Sequence, residues 1–239
     1  MIESPQNEKL KLVRKLRERK HREREGLFVT EGEDLLEAGL AAGVEPRFVL
    51  VAAGSGLEGE EVESKLLADV STLGSGTRVI AAWPLQWSER PKSPAFYLHG
   101  LGDPGNVGTI IRTLDALIGS SVVLGPECAD PFSPKAVRAS MGSIFSKPPA
   151  RGDIDATGEP RVALVAHGGQ KLDTLAGAAT VCLGAEREGL PDEVLAHCEE
   201  RVTIPLREKG PESLNVAAAA AIAAQRLSSL AMREVQPDA

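Results

Sequence analysis

Residues 95–112 read AFYLHGLGDPGNVGTIIR, and this stretch sets the architecture of the chain. Ala95–His99 is an uninterrupted apolar run, the mark of a buried strand. Pro104 and Gly105 turn the chain, and a helix is expected over Asn106–Ile118, with Asn106 suited to cap it. Gly108 leaves room for a close approach by backbone or ligand. Arg112 falls about 9 Å along the axis from Asn106 at 1.5 Å per residue. A strand that ends in a loop and opens a helix is the unit of an α/β sheet. The loop is not a dinucleotide fingerprint, because GxGxxG is absent, and not a P-loop, because no GKS or GKT follows.

Outward from this stretch the same alternation continues. Strands are expected at Ser121–Leu124, Arg161–Ala166, Thr180–Leu183 and Arg201–Ile204. Helices are expected at Ser133–Ser143 and Asp192–His197, with a long one from about Asn215 to Met232, and residues 146–160 read as a loop. Apolar strands alternating with helices imply a mostly parallel sheet with helices on both faces. Upstream, residues 26–82 show a second, smaller α/β pattern. Strands are expected at Leu27–Val29, Arg47–Ala52 and Arg78–Ala82, and helices at Glu31–Ala42 and Glu60–Ala68. WPLQWSERPKSP, residues 83–94, holds three prolines and reads as a linker. The division is therefore 1–25 as a basic helix, 26–82 as a small domain, 83–94 as linker and 95–239 as the larger domain.

Charge is unevenly distributed. The chain carries a formal net charge of −7, yet residues 1–25 hold nine Lys or Arg and five Glu, leaving −11 for the remainder. A basic arm on an acidic body offers a foothold for phosphates. The competing reading is a solvated helix whose Glu18, Glu23 and Glu25 pair with neighbouring Arg residues. Aromatics make up only 3% of the chain, against a base-stacking platform. Cys128, Cys182 and Cys198 lack CxxC spacing, so neither a disulfide framework nor a zinc site is expected. There is no signal-peptide core and no run long enough to span a bilayer, so a cytoplasmic protein is expected.

Two further loops follow apolar strands. VCLGAEREGLP, residues 181–191, ends its strand in Gly184 and closes with Gly189 and Pro191. A loop at the carboxyl end of a strand is where open α/β sheets bind ligands. IPLREKGPESLNVA, residues 204–217, brings Ser213 and Asn215 to a helix N-terminus. Each loop is also explained, taken alone, by turn or capping chemistry. The Ala-rich run from Ala217 gives a helix that packs closely.

In this order, GDPGNVGTIIRTLDA, LGAEREGLP and IPLREKGPESLNVAAA resemble the three motifs of the SpoU (TrmH-like) family of RNA 2′-O-ribose methyltransferases, within the SPOUT superfamily. The resemblance covers roughly residues 95–232. RASMGSIF, residues 138–145, is similar to that family's intervening segment. The stretch through residue 52 resembles the small ribosomal-protein-like substrate-binding domain that precedes many of its catalytic domains. The resemblance implies a C-terminal trefoil knot, a homodimer and S-adenosyl-L-methionine as methyl donor. It assigns Leu183, Gly184, Glu186, Ile204, Leu206, Ser213 and Leu214 to the donor site, and Asn106, Arg112, Glu186, Ser213 and Asn215 to the reacting ribose. A sulfonium is already activated, so no metal is implied. The target is RNA, with ribosomal RNA favoured over tRNA. Two other classes stay open: a non-catalytic RNA-binding protein of the same fold, and a generic nucleotide-binding α/β enzyme.

Overall fold

A break in the N-terminal helix shows how local sequence yields to packing. The computed structural model describes residues 1–74, 76–89 and 91–235, with side chains described to residue 230. The single basic helix expected within residues 1–25 is not formed: α1 spans Glu8–Lys15 and α2 spans Arg19–Glu25. Arg22 causes the interruption. It is 3% exposed. Its Nη1 donates to the carbonyls of Leu16 and Arg17 at 2.7 and 2.8 Å, and its Nε and Nη2 donate to Asp130 at 2.9 and 2.6 Å. The guanidinium thus satisfies carbonyls that the first helix leaves open at its end. Gly26, at φ +65°, ends α2 in the left-handed conformation that glycine adopts freely. Four helix cations pair with near neighbours, Lys11 with Glu8, Arg19 with Glu23, Lys20 with Glu18 and Arg24 with Glu25, and Lys9 pairs with the sequence-remote Glu60.

The chain forms two compact units. The first comprises Met1–Gln86 and Asp130–Ser146. Its strands β1 (Leu27–Glu31), β2 (Phe48–Ala52), β3 (Glu60–Val62) and β4 (Val79–Pro84) make a sheet in the order β1-β4-β2-β3, accompanied by α3 (Glu33–Ala41) and α4 (Ser64–Val70). The expected helix at Glu60–Ala68 is a correction. Residues 60–62 pair parallel with Leu50–Ala52, and α4 begins only at Ser64. Trp83 also leaves the expected linker. It lies in β4, fully buried, and its indole donates to Thr30 Oγ1 at 2.8 Å. A Cβ on Gly39 would sit 2.5 Å from that ring, so α3 needs glycine there.

The segment 130–146 packs in this first unit, although the sequence groups it with the larger domain. It forms two short helices in place of one at Ser133–Ser143. The α5 helix of the larger sheet precedes them in the chain, at Pro104–Ile118; they are α6 (Pro134–Ser140) and α7 (Ser143–Ser146). Gly142, at φ +93°, separates them, and a Cβ there would meet Ala38 at 2.5 Å. Phe132 and Phe145 stack about Phe28 at ring distances of 5.0 and 5.6 Å. These contacts are non-local, so periodicity could not reveal them.

The second unit holds Trp87–Ala129 and the chain from Lys147 onward. Its strands are β5 (Ala95–Leu98), β6 (Val122–Leu124), β7 (Ala150–Arg151), β8 (Arg161–Leu164), β9 (Thr180–Leu183) and β10 (Glu200–Val202). They run β10-β8-β9-β5-β6-β7, every neighbouring pair parallel. The expected loop at 146–160 therefore contains an edge strand. The short α8 (Asp192–Leu195) precedes β10, and α9 (Val216–Val235) closes the chain and packs on α5. Ala220, Ala223 and Ala224 are fully buried along α9, which permits close approach. The chain moves outward from β5 to β7, then returns to build β8, β9 and β10 on the other side. Such a reversal of strand order creates a crevice at the carboxyl ends of the strands. Among the described residues, no helix is long and apolar enough to cross a membrane.

Candidate active site

The three loops singled out in the sequence converge at the carboxyl end of the parallel sheet. The first is fixed by Asp103, not by Asn106. Asp103 Oδ1 accepts from the amides of Gly105 and Asn106 at 2.6 and 3.1 Å, and Pro104 occupies the first helical position. This corrects the capping role expected of Asn106 and frees its side-chain amide. Asn106 Nδ2 donates to Glu186 of the second loop, and Asn106 Oδ1 accepts from Asn215 Nδ2 of the third at 3.2 Å. One carboxamide therefore joins all three segments. Asn215 Oδ1 meanwhile caps α9, accepting from Ala217 N at 2.9 Å.

The second loop folds back on itself. Ala185 N donates to Gly189 O at 3.1 Å, and Gly189 N donates to Ala185 O at 2.9 Å. Gly189 takes φ +72°, and the returning backbone crosses directly over Gly184. A Cβ on Gly184 would lie 2.1 Å from Gly189 C and 2.3 Å from Leu190 N. Only glycine fits, because the obstacle is backbone. The loop is also stitched to the first segment, since His99 N donates to Leu183 O at 2.9 Å.

Between the second and third loops lies a cavity of about 520 Å³. Leu183, Gly184, Glu186, Ile204, Leu206, Ser213 and Leu214 all line it, so the seven residues nominated for a donor site surround one cavity. Leu206 and Leu214 are 37% and 39% exposed, unusually open for leucine, and present apolar surface to the cavity. Arg112 does not line it. It lies further along α5 on the exposed surface, with no hydrogen bond or ion pair among the described residues. Asn106 and Asn215 are not on the wall either and reach it through Glu186 and through the chain neighbours Leu214 and Val216.

The sequence missed Leu164–His167, which wall the cavity from the end of β8. The rule that nominated the other two strand ends applies equally to β8. What was absent was the strand order, which puts β8 between β9 and β10. Gly169 holds this segment in place. Its amide donates to Thr203 Oγ1 at 2.8 Å, and a Cβ there would strike Val202 C at 2.5 Å. Nearby polar groups are kept neutral: burial above all pushes the Tyr97 hydroxyl up to about 12 and raises the Cys128 thiol, which donates to Leu98 O at 3.1 Å.

A parallel sheet whose strand-end loops interlock beside a cavity, with a Glu-Asn-Asn bridge centred on Asn106 among them, defines a class of α/β enzyme. The SpoU rRNA methylase family model matches residues 94–225, more than half of the chain, and the chain belongs to that family. The MRM3-like substrate binding domain matches residues 7–81. An uncharacterized tRNA/rRNA methyltransferase of Synechocystis is 31% identical, over 92% of this chain and 90% of its own. The 23S rRNA (guanosine(2553)-2′-O)-methyltransferase RlmP of Bacillus subtilis is 28% identical, covering 92% and 96%. An AdoMet-bound rRNA methyltransferase from Sinorhizobium meliloti superposes with a TM-score of 0.83 at 28% identity, over 99% of this chain and 98% of its own.

Proposed function

We propose that the protein is an S-adenosyl-L-methionine-dependent RNA methyltransferase that modifies a ribose 2′-hydroxyl in structured ribosomal RNA. The observation that carries this reading is the joining of the cavity to the first loop through Asn106. The cavity suits a nucleoside donor: it is lined by the apolar Leu164, Leu183, Leu206 and Leu214 together with strand-end backbone and a few polar side chains. When bound, the donor supplies a methyl on a sulfonium that needs no further activation. The protein's part is positioning, which can supply several orders of magnitude in rate. Asn106, Glu186 and Asn215 hold the donor loops against the α5 N-terminus. Ser213 lines the cavity beside them and offers a hydroxyl to the ribose.

Arg112 is suited to the RNA. A guanidinium stays protonated throughout the ordinary pH range, so it does not act as a base. Exposed and uncommitted, it clamps a phosphate bidentately and stabilises the developing 2′-oxyanion. The first unit, which matches a substrate-binding domain, engages the RNA target. We further read the chain as a cytoplasmic homodimer with a C-terminal trefoil knot. Leu117 on α5 and Ile222 on α9, each 38% exposed, support an apolar face on the two packed helices. The self-closing second loop and the tight α5–α9 packing support the knot.

Transfer of a tritiated methyl from the donor to total RNA, followed by mapping of the alkali-resistant linkage, tests the proposal. Label in 23S or 16S rRNA at a ribose is expected. Label in tRNA would move the target, and absence of label would leave a non-catalytic RNA-binding protein. Arg112→Ala should abolish transfer, and an unchanged kcat in that variant would remove both roles assigned to Arg112.

A further inference from the structure

The cavity wall carries an unbalanced set of charges. Glu186 and Glu188 reach it from the loop after β9, and Glu212 from the loop before α9. Arg187 and His167 lie on the same wall. Glu186 is engaged by Asn106. Glu188 and Glu212 have no hydrogen bond or ion pair among the described residues. Several acids elsewhere in this unit are engaged: Asp103 caps α5, Asp173 holds Arg226, Glu199 takes the Arg161 amide and Asp155 faces His197. Three carboxylates against one guanidinium on a concave wall focus a negative potential and repel one another. A cation in the cavity relieves that repulsion.

We infer that Glu188 and Glu212 sense the sulfonium charge of the methyl donor, so that the cavity holds the charged donor more tightly than its neutral thioether product. This rests on the donor reading of the cavity proposed above. In methyl transfer the O2′–CH3 bond forms and the S–CH3 bond breaks. The electron pair stays on sulfur, and the 2′-proton passes to solvent. The cofactor thereby loses its net positive charge, and the two carboxylates lose the charge they were attracting. Glu188 and Glu212 are specificity-determining groups: they favour exchange of spent product for fresh donor, without touching the reacting atoms.

The test is calorimetric titration of the full-length protein with S-adenosylmethionine, S-adenosylhomocysteine and sinefungin, which carries an ammonium where the donor has its sulfonium. Donor and sinefungin should bind at least about 5-fold more tightly than the thioether at low salt, with the preference shrinking at high salt. In the Glu188→Gln/Glu212→Gln double variant the preference should fall below about 2-fold, chiefly through weaker binding of the two cations. Equal affinities in the wild-type protein, or an unchanged preference in the double variant, would overturn the inference and leave the cavity a donor site. Failure of the folded protein to bind any of the three ligands would overturn the donor reading and this inference with it.

Discussion

Gly184→Ala probes the loop on which the proposed donor cavity depends. The added Cβ would stand 2.1 Å from Gly189 C and 2.2 Å from Gly189 O. Ordinary contact is more than 1 Å longer, and both obstacles are backbone, so no side chain can swing aside. The loop must open. Opening it breaks the reciprocal bonds between Ala185 and Gly189, each worth about 0.5–1.5 kcal/mol net. The loss should total about 2 kcal/mol, within the usual range of about 1–3 kcal/mol for overpacking. For a protein of this size that lowers Tm by about 4–8 °C in a thermal scan. Opening also carries Glu186 and Glu188 off the cavity wall, so donor affinity in calorimetry should fall at least about 10-fold, or about 1.4 kcal/mol. Gly102→Ala is the control: its Cβ would point into open space at an ordinary backbone angle, so stability should stay within about 0.5 kcal/mol of wild type. A Gly184→Ala protein with unchanged Tm and unchanged donor affinity would refute the reasoning.

Three other perturbations follow from the same contacts. Asn106→Asp sets a second carboxylate against Glu186 and should cut methyl transfer about 100-fold by misplacing the loops; Glu186→Gln in that background restores a donor facing an acceptor, and recovery of kcat would mark the bridge as positional. Asp130→Ala strands the buried Arg22 guanidinium and should cost about 3–5 kcal/mol in urea unfolding, whereas the double variant Arg22→Met/Asp130→Leu should cost less than the sum of the single changes. Glu199 accepts the Arg161 backbone amide at 2.6 Å, which holds its carboxyl below the ordinary 4.5. Its stabilisation is present above that ordinary value and is lost as pH falls through the lowered folded-state value, so the Tm gap between wild type and Glu199→Gln should be open at about pH 7 and closed at about pH 2.

The charged N-terminus shows where sequence reading stops. Nine cations among residues 1–25 suggest an arm for phosphates. In the structure the local Glu residues engage several of them, and the most buried, Arg22, is a structural group bound to Asp130, over a hundred residues away. Helical spacing could not reveal the break at Leu16–Glu18, because the Arg22 guanidinium that caps it is held by that distant carboxylate. The β3 strand was misread for a related reason: three residues, two of them exposed glutamates, carry no alternation, and their extended form is fixed by pairing with β2.

The sequence by itself determined the alternation of strands and helices in the larger unit, the three loops at strand ends and the family, because buried parallel strands are continuous apolar runs and the loop motifs are local. It also named seven residues that line one cavity. Tertiary structure decided the rest. It set β8 between β9 and β10, and so brought Leu164–His167 to the cavity. It aimed the Asn106 side chain, left free by the local Asp103 cap, at Glu186 and Asn215. It packed residues 130–146 with the first unit. The physical reason is common to all three. Strand order, the direction of a freed side chain and the docking of a segment depend on contacts between residues remote in sequence, and a local pattern carries no record of them.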